Sequence, residues 1–338
     1  MQNSVGVAII GAGRMGSEHA RRLHRRISGA HVVAVVDIDR SRADTVVADI
    51  PGAEAETDVA ATLARSDVDA IILATPGFLH HEVLLEALAH DLPILCEKPL
   101  TPDGKSARTV LEAEQQLGRR RIQVGFMRRF DRDYRQLRAR IEGGTLGLPL
   151  MLHCAHRNPV APATFTDEMM IHDSVVHEFD TVRYLCGEEI SEIQVRSGRL
   201  TQNASGKLRD PQQILMKTAS GVLVDVEIFV NAQLGYQVTT QAVLEQGVID
   251  IGGDAGALIQ QGGHWGGGIN PGFESRFGDA FDQEVQTWVQ NLLADRFDGP
   301  DAWDGYAAAV CCEAGVKAQH SGQAVAVELG ERPPLYRR

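Results

Sequence analysis

No stretch of this 338-residue chain is apolar for long enough to cross a bilayer; runs such as Val32–Val36 and Ala70–Ala74 have the length of strands. Neither a secretion signal nor a transit peptide is expected, because Met1 leads almost directly into an apolar strand pattern. A cytoplasmic protein without membrane association is therefore expected. Cysteine is scarce: Cys96, Cys154, Cys186, Cys311 and Cys312 are scattered, odd in number and never spaced C-x-x-C. That pattern excludes a disulfide framework and a zinc cage and suits reduced thiols. Positive charge is in deficit, with 33 Lys and Arg against 45 Asp and Glu, a net charge of −12. A field of that sign repels phosphate backbones and anionic lipid, which argues against a general nucleic-acid binder. Internal repeats and low-complexity tails are absent too. What remains is 43% hydrophobic and 23% charged residues with 34 glycines, the makeup of a globular protein long enough for two domains.

The first part alternates apolar runs with amphipathic stretches: Val5–Ile10 then Met15–Ile27, Val32–Asp37 then Arg40–Ala48, Ala70–Ala74 then His80–His90, Ile94–Cys96 then Lys105–Leu117, and finally Ile122–Val124. The strands are nearly continuous in Val, Ile, Leu and Ala, so both of their faces are buried. This rhythm predicts an α/β domain with a parallel sheet covered by helices on both sides. After about Gly144 the rhythm changes. One helical stretch, Thr166–Leu185, precedes strand-like runs near Ile190–Ser197, Gln213–Thr218, Val222–Val230, Gln237–Leu244 and Val248–Ile251. Strands without intervening helices imply an α+β domain with a large, mostly antiparallel sheet. The glycine-rich segment Gly252–Gly272, with a short strand-like run Leu258–Gln260, reads as a surface loop or the border of a site. Helical patterns at Phe277–Ala294 and Asp301–His320 close the chain. We expect domains at 1–126 and 127–338.

Val5–Ile10 runs into Gly11-Ala12-Gly13-Arg14-Met15-Gly16, a G-x-G-x-x-G between a buried strand and a helix. The glycines permit a tight turn and the close approach of a pyrophosphate, while the helix N-terminus supplies N–H donors and partial positive charge. A second strand ends at Asp37, a little beyond the usual separation of about 20 residues. Together these predict a doubly wound Rossmann domain that binds NAD, since a carboxylate there accepts bonds from both ribose hydroxyls and repels a 2′-phosphate. The plainer alternative makes Asp37 only the cap of the following helix. Arg40 stands close enough to keep NADP in consideration.

Cys96-Glu97-Lys98-Pro99 ends a buried strand, and in an open α/β sheet the ligand crevice lies at the carboxyl ends of the strands. Lys98 then points towards the nicotinamide; elsewhere it would be read as an ordinary surface lysine. On a helix, Asp173, His177 and Asp180 share one face. A histidine beside a carboxylate suits removal of an alcohol proton near neutral pH, although such a pair also arises as a plain surface contact. His153 and His156 fall on a strand, where their spacing puts them on opposite faces, and His19, His24, His80 and His81 lack partners to complete a ligand set. No catalytic metal is expected. The arginines of 21–26 and 128–140 fall on helical patterns and read as solvated faces or subunit contacts.

With these motifs placed, the chain resembles the Gfo/Idh/MocA family of nicotinamide-dependent sugar and cyclitol oxidoreductases. Gly125-Phe126-Met127-Arg128-Arg129-Phe130-Asp131, His153-Cys154-Ala155-His156-Arg157-Asn158-Pro159 and Ala302-Trp303-Asp304-Gly305-Tyr306 resemble its inositol-oxidising members, and the likeness runs from Val5 to about Tyr336. The resemblance implies that Lys98, Asp173 and His177 are the catalytic set. It implies cofactor contacts from Gly11, Gly13, Arg14, Met15, Gly16, Asp37, Thr75, His80, Glu97 and Lys98. Arg128, His156, Asn158, Ser174, Asp180 and Tyr236, with the catalytic three, would face a small neutral polyol. The implied reaction is oxidation of myo-inositol to scyllo-inosose by NAD in a homotetramer. Another inositol isomer, an aldose, or a non-catalytic NAD- or sugar-sensing regulator are the alternatives. Two departures from the family stand out: Thr75-Pro76-Gly77 replaces the usual Thr-Pro-Asn, and Ser174 stands where inositol enzymes have Thr.

Overall fold

A computed structural model describes residues 4–337 apart from 205, 207 and 254–257. The chain divides into two compact units. The first comprises Met1–Met127, Phe281–Ala309 and Gly330–Arg338, the second Arg128–Ala280 and Val310–Leu329. The span 127–338 expected as the second domain thus yields two segments to the first unit, one that interrupts it at Phe281–Ala309 and one that follows it at Gly330–Arg338. Among the described residues no helix is long and apolar enough to cross a membrane.

The first unit is built on a parallel sheet of six strands: β1 (Val5–Ile10), β2 (Ala30–Val36), β3 (Glu54–Glu56), β4 (Ala70–Leu73), β5 (Ile94–Glu97) and β6 (Ile122–Gly125). Their order is β3-β2-β1-β4-β5-β6, so the direction of winding reverses between β1 and β4. Every residue of β1, β4, β5 and β6 is buried, as the unbroken apolar runs require. Helices α1 (Arg14–Arg25), α2 (Arg40–Val47), α3 (Val59–Leu63), α4 (His80–Ala89) and α5 (Gly104–Leu117) form the crossovers. Asp39 caps α2 through Ser41 N, and Asp103 caps α5 through Ser106 N, which satisfies amides that a helix start leaves unpaired. Val285, Trp288 and Val289 join Leu23, Ile27, Val35 and Ile72 in one hydrophobic cluster, which is why the later segment belongs here.

In the second unit, α6 (Arg132–Glu142) precedes β7 (Pro149–Arg157). The stretch expected as one helix, Thr166–Leu185, instead comprises α7 (Asp167–Met169), a wide π-helical turn (Met170–Val175) and α8 (Val176–Cys186). Beyond them lie β8 (Ile190–Ser197), β9 (Gln212–Thr218), β10 (Leu223–Phe229), β11 (Gln237–Leu244) and β12 (Gly247–Ile251). A hairpin of β13 (Ile259–Gln261) and β14 (His264–Gly266) falls within the glycine-rich segment, of which residues 254–257 lie outside the described ones. Helices α9 (Phe273–Leu293) and α10 (Ala302–Ser321) and the short β15 (Val325–Ala326) complete the chain. The seven-stranded sheet has the order β12-β11-β7-β10-β9-β8-β15 and is antiparallel except where β7 meets β10. Burial alternates along β9, β10 and β11, so one face is covered and the other lies open.

Candidate active site

The first unit holds the glycine loop at the end of β1. Gly11 has φ +103, and a side chain there would meet the backbone of Ala74 and Thr75 at 2.8–2.9 Å. A Cβ on Gly16 would fall 1.7 Å from the Gly11 carbonyl oxygen, so α1 starts directly against the turn. Gly13 differs. Nothing lies within 4 Å of the position its Cβ would take, and it opens α1 without a side-chain cap. A tight turn, a bare helix start and open space at the middle glycine fit the pyrophosphate of a dinucleotide. Asp37 braces this loop: Oδ2 accepts from Ala12 N at 2.9 Å and Oδ1 from Asp39 N at 2.9 Å. The helix cap is Asp39, not Asp37, which leaves two lone-pair directions on the Asp37 carboxylate for ribose hydroxyls. Ile38 beside it is almost wholly exposed, and Phe78, in the turn before α4, is largely exposed.

Around Lys98 the neighbours are buried. Glu97 Oε1 lies 2.7 Å from His19 Nε2, tying the end of β5 to α1. Burial alone would raise the Glu97 pKa, but the His19 bond and the charges of His19 and Lys98 hold it below the usual value. His80 has no exposed surface; its Nδ1 and Nε2 lie 2.8 Å from the carbonyl oxygens of Pro99 and Thr75. It therefore stands behind both turns and links them. Burial lowers its pKa against the pull of those carbonyls, so near neutral pH the ring donates to one of the two.

The second unit gathers the other candidates. Asp173 and Ser174 lie in the π turn, and His177 is the second residue of α8. Such turns are wider than an α-helix and recur at functional sites, so the α-helical spacing read from the sequence applies only beyond Val176. Asp180 is buried and receives Arg129: Nε lies 2.9 Å from Oδ2 and Nη2 2.5 Å from Oδ1. The helical pattern at 128–140 suggests solvated faces or subunit contacts; Arg128 and Arg129 are instead both buried in a 3₁₀ turn (Met127–Phe130), where each meets a buried carboxylate. For Arg128 that carboxylate is Glu178, which sequence reasoning missed because it lies off the face shared by His177 and Asp180. His156 Nδ1 lies 3.2 Å from Glu178 Oε2 and 3.3 Å from Arg128 Nη2. As expected, His156 and His153 take opposite faces of β7, His156 buried and His153 half-exposed beside Asp225.

Tyr236 packs edge-on to His156 and to Phe277, with ring centroids 5.9 and 6.2 Å apart. Asn158 is fixed by its backbone, its N donating to Phe229 O and its O accepting from Ala232 N, both at 2.9 Å. Arg128, His156 and Tyr236 thus form one cluster, and Asn158 follows directly on the strand that carries His156. Among the described residues no group of three His, Cys, Asp or Glu is arranged to hold a metal ion.

Comparison with known proteins bears on both units. A family model described as "Oxidoreductase family, NAD-binding Rossmann fold" matches residues 5–126, and the "GFO/IDH/MocA C-terminal domain" matches residues 134–250. An inositol 2-dehydrogenase of Pseudarthrobacter chlorophenolicus is 56% identical over 336 residues, spanning 99% of this chain and 100% of that one. Inositol 2-dehydrogenase 4 of Saccharopolyspora erythraea is 55% identical, spanning 98% of both. The crystal structure of myo-inositol dehydrogenase from Lactobacillus casei in complex with NAD(H) and myo-inositol superimposes with a TM-score of 0.96 at 32% identity, covering 99% of this chain and 100% of that one.

Proposed function

The chain belongs to the Gfo/Idh/MocA oxidoreductase family, and from that premise we propose that it oxidises myo-inositol to scyllo-inosose with NAD. The observation that carries this reading is its full-length likeness, at 56% identity, to relatives named inositol 2-dehydrogenase. Support from the chain itself comes from the glycine loop braced by Asp37, which suits NAD over NADP, and from the uncharged character expected of the substrate beside neutral hydrogen-bonding groups such as Asn158 and Tyr236.

Oxidation removes a proton from the hydroxyl oxygen and a hydride from its carbon, leaving a carbonyl. NAD, when bound, accepts the hydride. His177 takes the proton as general base, and Asp173 orients the imidazole and stabilises its charged form. Lys98 stabilises the developing alkoxide with its ammonium. Choosing one hydroxyl among six similar ones takes several fixed donors and acceptors, the part we assign to Arg128, His156, Asn158, Ser174 and Tyr236, with Asp180 holding Arg129 beside them.

We assign the protein to the cytoplasm, a reading supported by the scattered, odd-numbered cysteines of the sequence. The open face of the seven-stranded sheet carries the His153–Asp225 and Arg157–Glu227 ion pairs beside Met151 and Leu215. We assign it to the contacts of a homotetramer.

The test is NADH formation by purified protein with NAD or NADP and a panel of inositol isomers, glucose and xylose. Myo-inositol with NAD should be the preferred pair. Lys98→Ala and His177→Ala should each lose about 10²- to 10⁴-fold in turnover while still binding NAD. No NADH at any pH from neutral to alkaline, or undiminished rates in both variants, overturns the reading.

A further inference from the structure

We propose that Glu178 is a positioning residue for the polyol, acting through Arg128 and His156; the inference rests on the inositol reading above. Three separate elements converge on its carboxylate. Arg128 comes from the 3₁₀ turn after β6, His156 from β7, and Glu178 itself from α8. All three side chains are at least nine-tenths buried.

One carboxylate oxygen takes the Arg128 Nη1 and the other lies 3.2 Å from His156 Nδ1, while Arg128 Nη2 lies 3.3 Å from the same ring nitrogen. Arg128 thus donates to Glu178, and His156 Nδ1 lies within reach of both partners, placed to donate to the carboxylate or to accept from the guanidinium. Burial opposes ionisation of Glu178, but the Arg128 charge and the hydrogen bonds from His156 and Arg128 outweigh it and keep the group ionised, with a pKa of about 2. Arg128 needs that charge. Its guanidinium is buried between Glu178 and the face of Phe277, 5.7 Å from the ring centroid, and an uncompensated cation there would be costly.

The consequence for binding follows from what each group has left. A neutral imidazole has one donor and one acceptor nitrogen. With Nδ1 donating to the Glu178 carboxylate, Nε2 is fixed as an acceptor for a substrate hydroxyl; with Nδ1 accepting from Arg128, Nε2 becomes a donor. Charge-assisted pairing with the carboxylate selects the first arrangement. Glu178 thus decides which way a hydroxyl must present itself to His156 without touching the substrate.

The decisive comparison is steady-state kinetics of Glu178→Gln, Glu178→Asp and Arg128→Met, and of the Arg128→Met, Glu178→Gln double variant, on myo-inositol, with NAD affinity measured separately. Glu178→Gln should raise KM for myo-inositol by about ten- to hundredfold, the worth of one or two bonds to a charged group, with a smaller change in kcat and NAD affinity kept. Glu178→Asp, which keeps the charge, should recover part of that loss. The loss in the double variant should be less than the sum of the two single losses, since part of the Glu178 effect acts through Arg128. A purely structural role would depress kcat and NAD affinity as well, and would give additive losses. Wild-type protein active on myo-inositol with an unchanged KM in Glu178→Gln overturns this inference alone; wild-type protein inactive on every polyol overturns it together with the reading it rests on. Should Glu178→Gln not fold, the Asp variant decides: a KM raised with kcat and NAD affinity kept supports the proposal, and kcat and NAD affinity falling together with the KM effect refutes it.

Discussion

Glu114 sits on the inner face of α5 with no exposed surface, and the structure turns it into a pH-dependent liability. Its Oε1 accepts from the amides of Arg121 and Ile122 at 2.5 and 2.7 Å, and its Oε2 accepts from the Tyr336 hydroxyl at 2.6 Å. All three donors are neutral. Burial therefore dominates and raises the pKa from 4.5 to about 7, with the Asp301 charge adding to the effect. A carboxyl whose pKa is raised on folding binds its proton more tightly in the native state. Its contribution to stability is complete below the unfolded value of 4.5 and is lost as pH rises through about 7. At about 1.36 kcal/mol per unit, the loss is on the order of 3 kcal/mol. Glu114→Gln is close in shape and does not titrate, so its stability relative to wild type should grow by about that amount between roughly pH 5 and pH 8.5. Trp288 and Trp303 are both buried in the first unit, so urea unfolding followed by fluorescence in a Trp265→Phe background reads that unit. Taking the difference between the two proteins cancels the other titrating groups. A difference that stays the same at both pH values, or that favours wild type at high pH, refutes the reasoning.

Two further outcomes concern the dinucleotide loop. Asp37→Ala should weaken NAD by about ten- to hundredfold, as expected for the loss of a bond or two to a charged acceptor, and leave NADP much less affected; equal losses for both cofactors in titration calorimetry would remove the ribose role. The glycines should separate by position. Gly13→Ala meets open space at an ordinary φ of −69, so it should keep the melting temperature while losing NAD affinity, whereas Gly16→Ala drives a methyl into the Gly11 carbonyl and should lose both. Identical behaviour of the two variants in thermal shift and NAD titration would contradict this.

The parallel sheet was legible because strands buried on both faces leave unbroken apolar runs, as in β1 and β4. The glycine loop was legible because its chemistry is local: each glycine answers to neighbours within a turn. Short β3 and α3 left no such mark, being only 3 and 5 residues long. The π turn that carries Asp173 has no compositional signature, so the stretch reads as a continuous helix. The burial of Arg128 and Arg129 was not legible in their helical pattern, because an arginine's burial depends on its partner, and their partners Glu178 and Asp180 stand 50 and 51 residues away. Asp39 shows the opposite case, where looking two residues further along would have identified the true helix cap. Pattern reading sees periodicity and local caps; it does not see which distant carboxylate a guanidinium will meet.

The first unit's discontinuity has a consequence for biosynthesis. A chain emerging from the ribosome presents its first 127 residues long before Phe281–Ala309 and Gly330–Arg338 exist. Until then the flank of α1 that will receive Val285, Trp288 and Val289 is bare, Arg22 lacks Asp282, and Glu114 lacks the Tyr336 hydroxyl. The nucleotide-binding half of the molecule, though translated first, is finished last. A nascent chain therefore carries an open apolar flank through synthesis of the entire second unit.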